Sequence, residues 1–233
     1  VPNPRFVGAS KLGPRGDVIA DMDWCVGELL DHLKAEGLLE DTLIIFSSDN
    51  GPVLDDGYLD DSPRLNKMCM HKPAGPLRGG KYSKFEGGSR IPLIVSWASH
   101  IRPQTSSALV SQVDFVASFA AMLGVDLGDG APDSLNMLDV LLGESHIGRE
   151  EILAEAINKS HFLRQGKWTY LQPCKGNAVE YNTDIELGSS LDPQLYNMDY
   201  DIGQRENVAQ LHMDLVAKMD RRIEEIKAGK RAR

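Results

Sequence analysis

Residues 43–52, LIIFSSDNGP, form the stretch that decides the fold of this chain. Four apolar residues run into two serines and then into Asp49-Asn50-Gly51, which predicts a buried strand, Leu43–Ser48, with two oxygen-bearing side chains at its carboxyl end. Ligands of open α/β sheets bind beyond the carboxyl ends of the strands. Carboxylate and amide oxygens are the ligands that Ca²⁺ and Mg²⁺ prefer. The stretch therefore predicts an α/β fold with a metal site at Asp49 and Asn50. The alternative is a plain turn, because Asn-Gly is a common hairpin signal.

The segment that follows this strand is basic, although the chain as a whole is acidic. Residues 64–90 hold seven Lys or Arg residues and one acid, Glu86, in a chain whose formal net charge is −9. A cation site beside a basic segment is what a multiply charged oxyanion ester would need. The sequence pI of about 5.1 argues against a nucleic-acid partner, which usually requires a basic face. The apolar stretches are too short to span a bilayer.

Three motifs in series carry a resemblance to a known family. SSDNGP, LRGGK and EGGSRIP follow one another in residues 47–92, and DFVASFAAMLG (114–124) comes further along. In this order they resemble the C-terminal portion of a type I sulfatase, an arylsulfatase-like member of the alkaline phosphatase superfamily. The resemblance implies an α/β fold, namely part of a sulfatase sandwich with a small C-terminal α+β subdomain. It also implies a sulfuric ester hydrolase acting on an aryl or carbohydrate sulfate ester, in a periplasmic, secreted or lysosomal setting.

The resemblance assigns roles to three residues. Asp49 and Asn50 match the metal-ligand pair of the family, with Ca²⁺ as the expected ion and Mg²⁺ as the alternative. An Asn at the second position favours Ca²⁺, since a His there would suit Zn²⁺. Lys81 matches the lysine that contacts sulfate, where its point charge would neutralise sulfate oxygens and the leaving oxygen. The alternative for Lys81 is a solvated loop lysine.

Further candidates come from the residues of the basic segment. Arg78 and Lys72 are candidates for substrate binding, and His71 is a candidate for protonating the leaving group. A locally hydrogen-bonded loop histidine is the alternative for His71. Glu86 and Arg90 are expected to form a structural pair. A cluster of loop acids could hold a second Ca²⁺, although such clusters are usually solvated: Asp55, Asp56, Asp60 and Asp61.

The sequence lacks the parts of the family that carry out covalent chemistry. Type I sulfatases use a formylglycine made within C/S-x-P/A-x-R, and none of the three cysteines or the serines lies in that context. The paired N-terminal Asp ligands are absent as well. We therefore expect a missing N-terminal half of the same protein, which would supply the formylglycine, and no turnover by this chain alone. Two alternatives stay open, a phosphodiesterase or phosphonate hydrolase of the same superfamily and a non-catalytic binding or structural module.

The polar stretch GESHIGRE (143–150) is the predicted boundary between two parts of the chain. Residues 1–145 are expected to form the C-terminal part of the catalytic domain, and residues 146–233 a small α+β subdomain. Helices are predicted at Asp17–Glu36, from a capping box at Ser111 to Gly124, near Met137–Leu142 and at Asn207–Lys227. Strands are predicted, besides the first, at Ile91–Ser96, Ile152–Ala156, His161–Arg164, Lys167–Leu171 and Gln194–Met198. Residues 49–80 are expected to form one long loop.

Overall fold

The computed structural model describes residues 2–53 and 61–229. The α-helices are α1 (Gly13–Ala35), α2 (Ser62–Met68), α3 (Glu86–Ser89), α4 (Asp114–Leu123), α5 (Leu138–Leu141) and α6 (Met213–Lys227). The strands are β1 (Ile44–Ser47), β2 (Leu93–Ser96), β3 (Glu151–Glu155), β4 (His161–Gln165), β5 (Trp168–Leu171) and β6 (Gln194–Asn197).

Strands β1 and β2 form a two-stranded antiparallel sheet. Ile44 pairs with Ser96 and Ser47 with Leu93. The expectation that the first strand is buried is wrong for this chain, since all four β1 residues are only half-buried and Ile94 of β2 is 59% exposed. The physical reason is that the described residues give β1 a single partner strand, so the sheet keeps an open apolar face.

The C-terminal strands form a four-stranded antiparallel sheet in the order β3-β4-β5-β6. Alternate residues of these strands point to opposite faces. On one face α6 packs over a core of apolar side chains, namely Leu163, Tyr170, Leu195, Val208, Val216, Met219 and Ile223. On the other face Phe85 packs with Phe162, Leu171 and Tyr196. This antiparallel sheet crossed by one helix confirms the predicted α+β arrangement.

The predicted loop at residues 49–80 contains a helix. Ser62–Met68 forms α2, with Pro63 in its first turn, where a proline suits the missing intrahelical hydrogen bond. The turn Glu86–Ser89 forms the unpredicted α3, because the Arg90 N–H donates to the Glu86 carbonyl at 2.8 Å. A single turn of helix that contains two glycines is too short to show an apolar period.

Three helix boundaries differ from the prediction. α1 begins at Gly13 rather than Asp17, with Pro14 in its first turn. α4 begins at Asp114 rather than Ser111. The Asp114 carboxylate accepts from the Ser111 N–H at 2.9 Å, but the Asp114 N–H donates to the Ser111 carbonyl rather than to its hydroxyl, so only half of the predicted capping box forms. α6 begins at Met213 rather than Asn207, because Asn207 Oδ1 accepts from the Leu195 N–H at 3.0 Å and ties this part of the chain to β6.

A buried ion pair links the two parts that the sequence separates. Arg149, within the predicted boundary stretch, donates from Nε to Asp114 Oδ2 at 2.7 Å, and both side chains are buried. Phe85 also lies in the core of the C-terminal sheet. The division at residue 145 stays a prediction.

Candidate active site

The Asp-Asn-Gly triplet lies directly after β1, as the sequence predicts. The Ser48 hydroxyl donates to the Asn50 carbonyl at 3.1 Å, and the Asn50 side-chain nitrogen donates to the Gly51 carbonyl at 2.9 Å. These bonds fix the turn that follows the strand. The Asp49 side chain is exposed and Asn50 is half-buried. Both side chains thus stand at the end of the strand, with the Asn50 amide oxygen available as a ligand.

Gly51 packs against the glycines of EGG. Its N–H donates to the Gly88 carbonyl at 2.9 Å. A Cβ at position 51 would lie 1.7 Å from the Gly87 carbonyl oxygen and 3.1 Å from the Gly88 Cα. Only a residue without a side chain permits this approach of two backbones. The glycines in the two sequence motifs therefore serve to bring the motifs into contact.

Lys81 is attached to the same loop through its backbone. The Lys81 N–H donates to the Pro52 carbonyl at 3.0 Å, and a Cβ on Gly80 would lie 2.4 Å from that oxygen. The Lys81 ammonium lies 5.5 Å from the centre of the Tyr82 ring. Within residues 2–53 and 61–229 it forms no ion pair with a carboxylate. Lys81 is thus half-buried, and its backbone is hydrogen-bonded to Pro52, which lies two residues after Asn50 in the chain.

Arg78 joins this loop to the C-terminal part of the chain. Its guanidinium donates to both Glu186 carboxylate oxygens, at 2.9 and 2.8 Å, and to the Gln204 carbonyl at 2.8 Å. It also lies 4.0 Å above the Phe85 ring centre. Hydrogen bonds from Arg78 lower the pKa of Glu186, burial opposes this, and the charges of Arg78 and Arg205 add to the lowering. Through these contacts Arg78 links the segment before Lys81 to Glu186 and Gln204. A role of Arg78 in substrate binding stays a prediction.

His71 and Lys72 lie in the exposed turn after α2. The His71 N–H donates to the Asn66 carbonyl at 2.8 Å, and the Lys72 carbonyl accepts from the Gly75 N–H at 2.8 Å. Over the described ranges, no hydrogen bond or ion pair joins either side chain to Asp49, Asn50 or Lys81. The structure therefore ties the Lys81 backbone to Pro52, next to the triplet, and shows no comparable bond for His71 or Lys72 in the described ranges.

Two other predictions concern acidic residues. Glu86 and Arg90 form the expected pair, with 3.7 Å between Oε2 and Nη1, and buried Glu86 also accepts from the Thr169 hydroxyl at 3.0 Å. Of the acidic cluster, Asp55, Asp56 and Asp60 lie outside the described residues. Asp61 accepts from Arg64 Nε at 2.6 Å.

Sequence reasoning missed the segment at residues 178–187. Val179 and Glu186 form an isolated antiparallel bridge, which makes the segment a small hairpin. Its Glu186 carbonyl accepts from the Ser83 hydroxyl at 2.6 Å, and Ile185 would be 3.3 Å from a Cβ on Gly80. These partners are about a hundred residues apart along the chain, so no local pattern reveals the contact.

Comparison with known proteins decides the family. The profile of the family described as Sulfatase matches residues 3–125. The chain belongs to the sulfatase family. It is 44% identical over 97% of its length to an N-acetylgalactosamine-6-O-sulfatase of Bacteroides thetaiotaomicron, and 30% identical over 87% to human arylsulfatase A. It spans only 44% and 40% of those two proteins.

Solved structures agree with this assignment. A sulfatase structure from Bacteroides thetaiotaomicron, described within a genetic locus for the metabolism of multiple glycosaminoglycans, superposes with a TM-score of 0.94. It is 43% identical, and the match covers 98% of this chain and 47% of that one. A phosphonate monoester hydrolase from Silicibacter pomeroyi matches with a TM-score of 0.61 at 18% identity, which shows a shared fold alone. The sulfatase assignment is thus favoured over the phosphonate hydrolase alternative.

The donor set of this sulfatase chain fits part of a hard-cation site. Asp49 offers an exposed carboxylate and Asn50 an amide oxygen, both suited to Ca²⁺. Across the described ranges no group of three His, Cys, Asp or Glu side chains is arranged to hold a metal ion. Since Ca²⁺ takes six to eight oxygens, these two residues fit such a site only together with further ligands. Among the described helices, none combines the length and apolar character needed to cross a membrane.

Proposed function

We propose that this chain carries part of the active site of a sulfuric ester hydrolase. The observation that supports this most directly is the 3.0 Å hydrogen bond from the Lys81 N–H to the Pro52 carbonyl. It ties the Lys81 backbone to Pro52, the residue that follows Asp49-Asn50-Gly51 at the end of a strand. A cation, a metal-binding pair and close backbone packing are the elements needed to bind a sulfate group.

Lys81 is the residue that acts on sulfate. Lys81 is a half-buried residue, and its ammonium pairs with no carboxylate in the described part of the chain. A cation that no neighbouring carboxylate neutralises can pair with an anionic ligand. Lys81 would neutralise the sulfate oxygens and the charge that develops on the leaving oxygen, which is a common source of rate enhancement.

Asp49 and Asn50 would hold Ca²⁺, with Mg²⁺ as the alternative ion. A bound Ca²⁺ polarises sulfate oxygens, and a formylglycine supplies the nucleophile in this family. The chain's own residues bind and orient the ester: the carboxylate and amide oxygens hold the metal, and Lys81 holds the anion. His71 remains our candidate for protonating the leaving group, with Lys72 and Arg78 as candidates for contact with the substrate.

We propose a carbohydrate 6-sulfate, and N-acetylgalactosamine 6-sulfate in particular, as the substrate. Identity to the Bacteroides N-acetylgalactosamine-6-O-sulfatase is 44%, against 30% to human arylsulfatase A and 32% to mouse steryl-sulfatase. This difference supports a sugar ester over an aryl or steryl ester. Human N-acetylgalactosamine-6-sulfatase also matches, at 32% identity over 86% of the chain.

A further segment of sulfatase would complete the site and cover the open apolar surface. Ile19 on α1, Ile94 on β2 and Leu123 on α4 are 54%, 59% and 70% exposed. Large exposed apolar areas mark interaction surfaces. A preceding N-terminal half would bury these side chains and supply the remaining metal ligands and the formylglycine.

The test uses the chain preceded by the formylglycine-bearing half of the Bacteroides relative, produced in cells that make formylglycine. We expect hydrolysis of N-acetylgalactosamine 6-sulfate, slower hydrolysis of an aryl sulfate, and none by the chain alone. A folded hybrid that cleaves phosphonate monoesters but no sulfate ester would contradict the proposal.

Lys81 variants of this hybrid sharpen the test. Lys81→Ala should lower kcat about 10²–10³-fold, the usual effect of removing one preorganised electrostatic group. Lys81→Arg should rescue only in part, because a planar fork does not replace a point charge. Lys218→Ala, which removes an exposed lysine of α6, is the matched control and should leave kcat unchanged. Equal kinetics in the Lys81 and Lys218 variants would assign Lys81 to the solvated surface.

A further inference from the structure

A buried lysine and a cysteine meet where the segment after Lys81 crosses the end of β5. The Lys84 side chain is fully buried, and its ammonium donates to Cys174 Sγ at 3.2 Å and to the Gln172 carbonyl at 2.7 Å. Lys84 and Cys174 are 90 residues apart along the chain. Neither residue has a part in the proposed hydrolysis.

The surroundings of Lys84 leave Cys174 as its anionic partner. A buried ammonium is costly unless an opposite charge lies beside it. In the described part of the chain Lys84 pairs with no carboxylate, and the other acceptor of its ammonium is the neutral Gln172 carbonyl. Of the two groups that accept from the Lys84 ammonium, Cys174 as a thiolate is the one able to supply the compensating charge.

Cys174 is also held in place and remains accessible. Its N–H donates to the Ser190 carbonyl at 2.8 Å, and the residue is half-buried rather than enclosed. Burial raises the pKa of the Cys174 thiol, but hydrogen bonds from Lys84 and Ser189 outweigh it, so the pKa lies below its ordinary value. For the Lys84 ammonium, burial lowers the pKa, because it disfavours the charged form. Both shifts favour a reactive sulfur beside a nitrogen that loses its proton readily.

We propose that Lys84 and Cys174 form a peroxide-sensitive cross-link, in which hydrogen peroxide converts the pair into a sulfenamide. The thiolate sulfur attacks one peroxide oxygen, the O–O bond breaks, and the departing hydroxide takes a proton from the Lys84 ammonium to give water. The resulting amine attacks the sulfur of the sulfenic acid. The S–O bond breaks, an S–N bond forms, and the departing hydroxide takes a proton from nitrogen as a second water. Sulfur is oxidised by two electrons and one peroxide is reduced to two waters. Condensation of a sulfenic acid with a backbone nitrogen is established cysteine chemistry, and a lysine amine is a stronger nucleophile than an amide nitrogen.

The other two cysteines provide a comparison within the same molecule. Cys25 and Cys69 are exposed, and their thiols lie beside an acceptor, the Asp21 carboxylate in one case and the Lys11 carbonyl in the other. In the described part of the chain, neither thiol forms a hydrogen bond with a cationic side chain. If exposure decided reactivity, these two would react first, whereas the proposal requires Cys174 to react first.

The experiment treats the folded chain with limiting hydrogen peroxide and follows intact mass and peptide maps, in the wild type and in a Cys25→Ser/Cys69→Ser variant. The expected product has lost about 2 Da, contains a peptide joined between positions 84 and 174, and returns to its original mass with a thiol reductant. In Lys84→Met the Cys174 sulfenic acid should form more slowly, because the cation beside the thiol is gone, and the fraction that forms should be trapped by dimedone and give no cross-linked peptide. The chain unfolded in urea should give no such peptide either, and this comparison serves if Lys84→Met does not fold. Oxidation of Cys25 or Cys69 before Cys174, or addition of oxygen to Cys174 without a cross-link, would overturn the proposal.

Discussion

Substitution of Gly51 by alanine tests the close contact on which the whole site depends. The new methyl group would lie 1.7 Å from the Gly87 carbonyl oxygen, where ordinary contact begins at 3.4 Å. The opposing atoms belong to backbone, so rotation of a side chain cannot relieve the overlap. The two loops must separate, and the 2.9 Å hydrogen bond from the Gly51 N–H to the Gly88 carbonyl is lost.

The size of the effect follows from these two terms. Overpacking of a tight site costs about 1–3 kcal/mol, and the lost hydrogen bond costs about 0.5–1.5 kcal/mol. We expect Gly51→Ala to lower the free energy of unfolding by about 2–4 kcal/mol. For a chain of this length that corresponds to a Tm lower by roughly 4–16 °C.

The assay is urea unfolding and a melting curve on the chain, with Gly27→Ala as the matched control. Gly27 lies within α1, and an added Cβ there meets no atom within 4 Å. Alanine in a helix interior is favoured over glycine by about 0.8–1.0 kcal/mol, so the control should be slightly stabilised. In the active hybrid, Gly51→Ala should also reduce kcat/KM, because Asp49, Asn50 and Lys81 lose their common support. Wild-type stability and kinetics in Gly51→Ala would show that the two loops do not pack as described.

Three further predictions concern Asp49 and Asn50, the proposed metal ligands, and the link to the C-terminal part. Calorimetry of the chain alone with Ca²⁺ should show little heat, because two ligands are too few, whereas tight binding abolished by Asp49→Ala would mean that other acids of the chain complete the site. Arg78→Lys should lower the free energy of unfolding in urea by about 1 kcal/mol. This is less than the effect of losing a fully buried charged hydrogen bond, because the Glu186 side chain is 41% exposed. An unchanged free energy of unfolding would show that the Arg78–Glu186 link does not stabilise the fold. Because the folded-state pKa of Glu186 is lowered below 4.5, its stabilising effect is present above 4.5 and is lost as the pH falls through the folded pKa. The stability difference between wild type and Glu186→Gln should therefore shrink on acidification, and a constant difference would contradict this.

Local patterns predicted the local structure well. Helix α4 ends at Leu123, and the next residue, Gly124, has a φ of 66°, the left-handed conformation that glycine favours. The strands of the C-terminal sheet appear within two residues of their predicted bounds. Each of these elements is specified by periodicity and turn residues over about ten positions, which a sequence displays directly.

Contacts between distant segments could not be predicted in the same way. The apolar period of the last helix continues upstream into residues that a hydrogen bond to β6 holds outside the helix. The burial of β1 depends on what covers the sheet, which periodicity within the strand does not specify. The pairs Arg78–Glu186 and Lys84–Cys174 join segments 108 and 90 residues apart, and nothing in either segment identifies its partner.

The C-terminal sheet packs against the segment that carries Lys81, a contact that the sulfatase motifs alone do not reveal. The segment that begins with Lys81 continues into Lys84, Phe85 and Glu86, and all three are buried against this part of the chain. Phe85 packs on the sheet, Glu86 accepts from Thr169 of β5, and the Lys84 N–H donates to the Leu187 carbonyl at 3.1 Å. Electrostatic stabilisation of a transition state requires a charge held in place before the reaction, and rigid supporting contacts provide this. The α+β part of the chain therefore serves as the support that fixes the backbone of the proposed sulfate-binding lysine. The glycine contacts at Gly51 fix it from the side of Asp49 and Asn50, the proposed metal ligands.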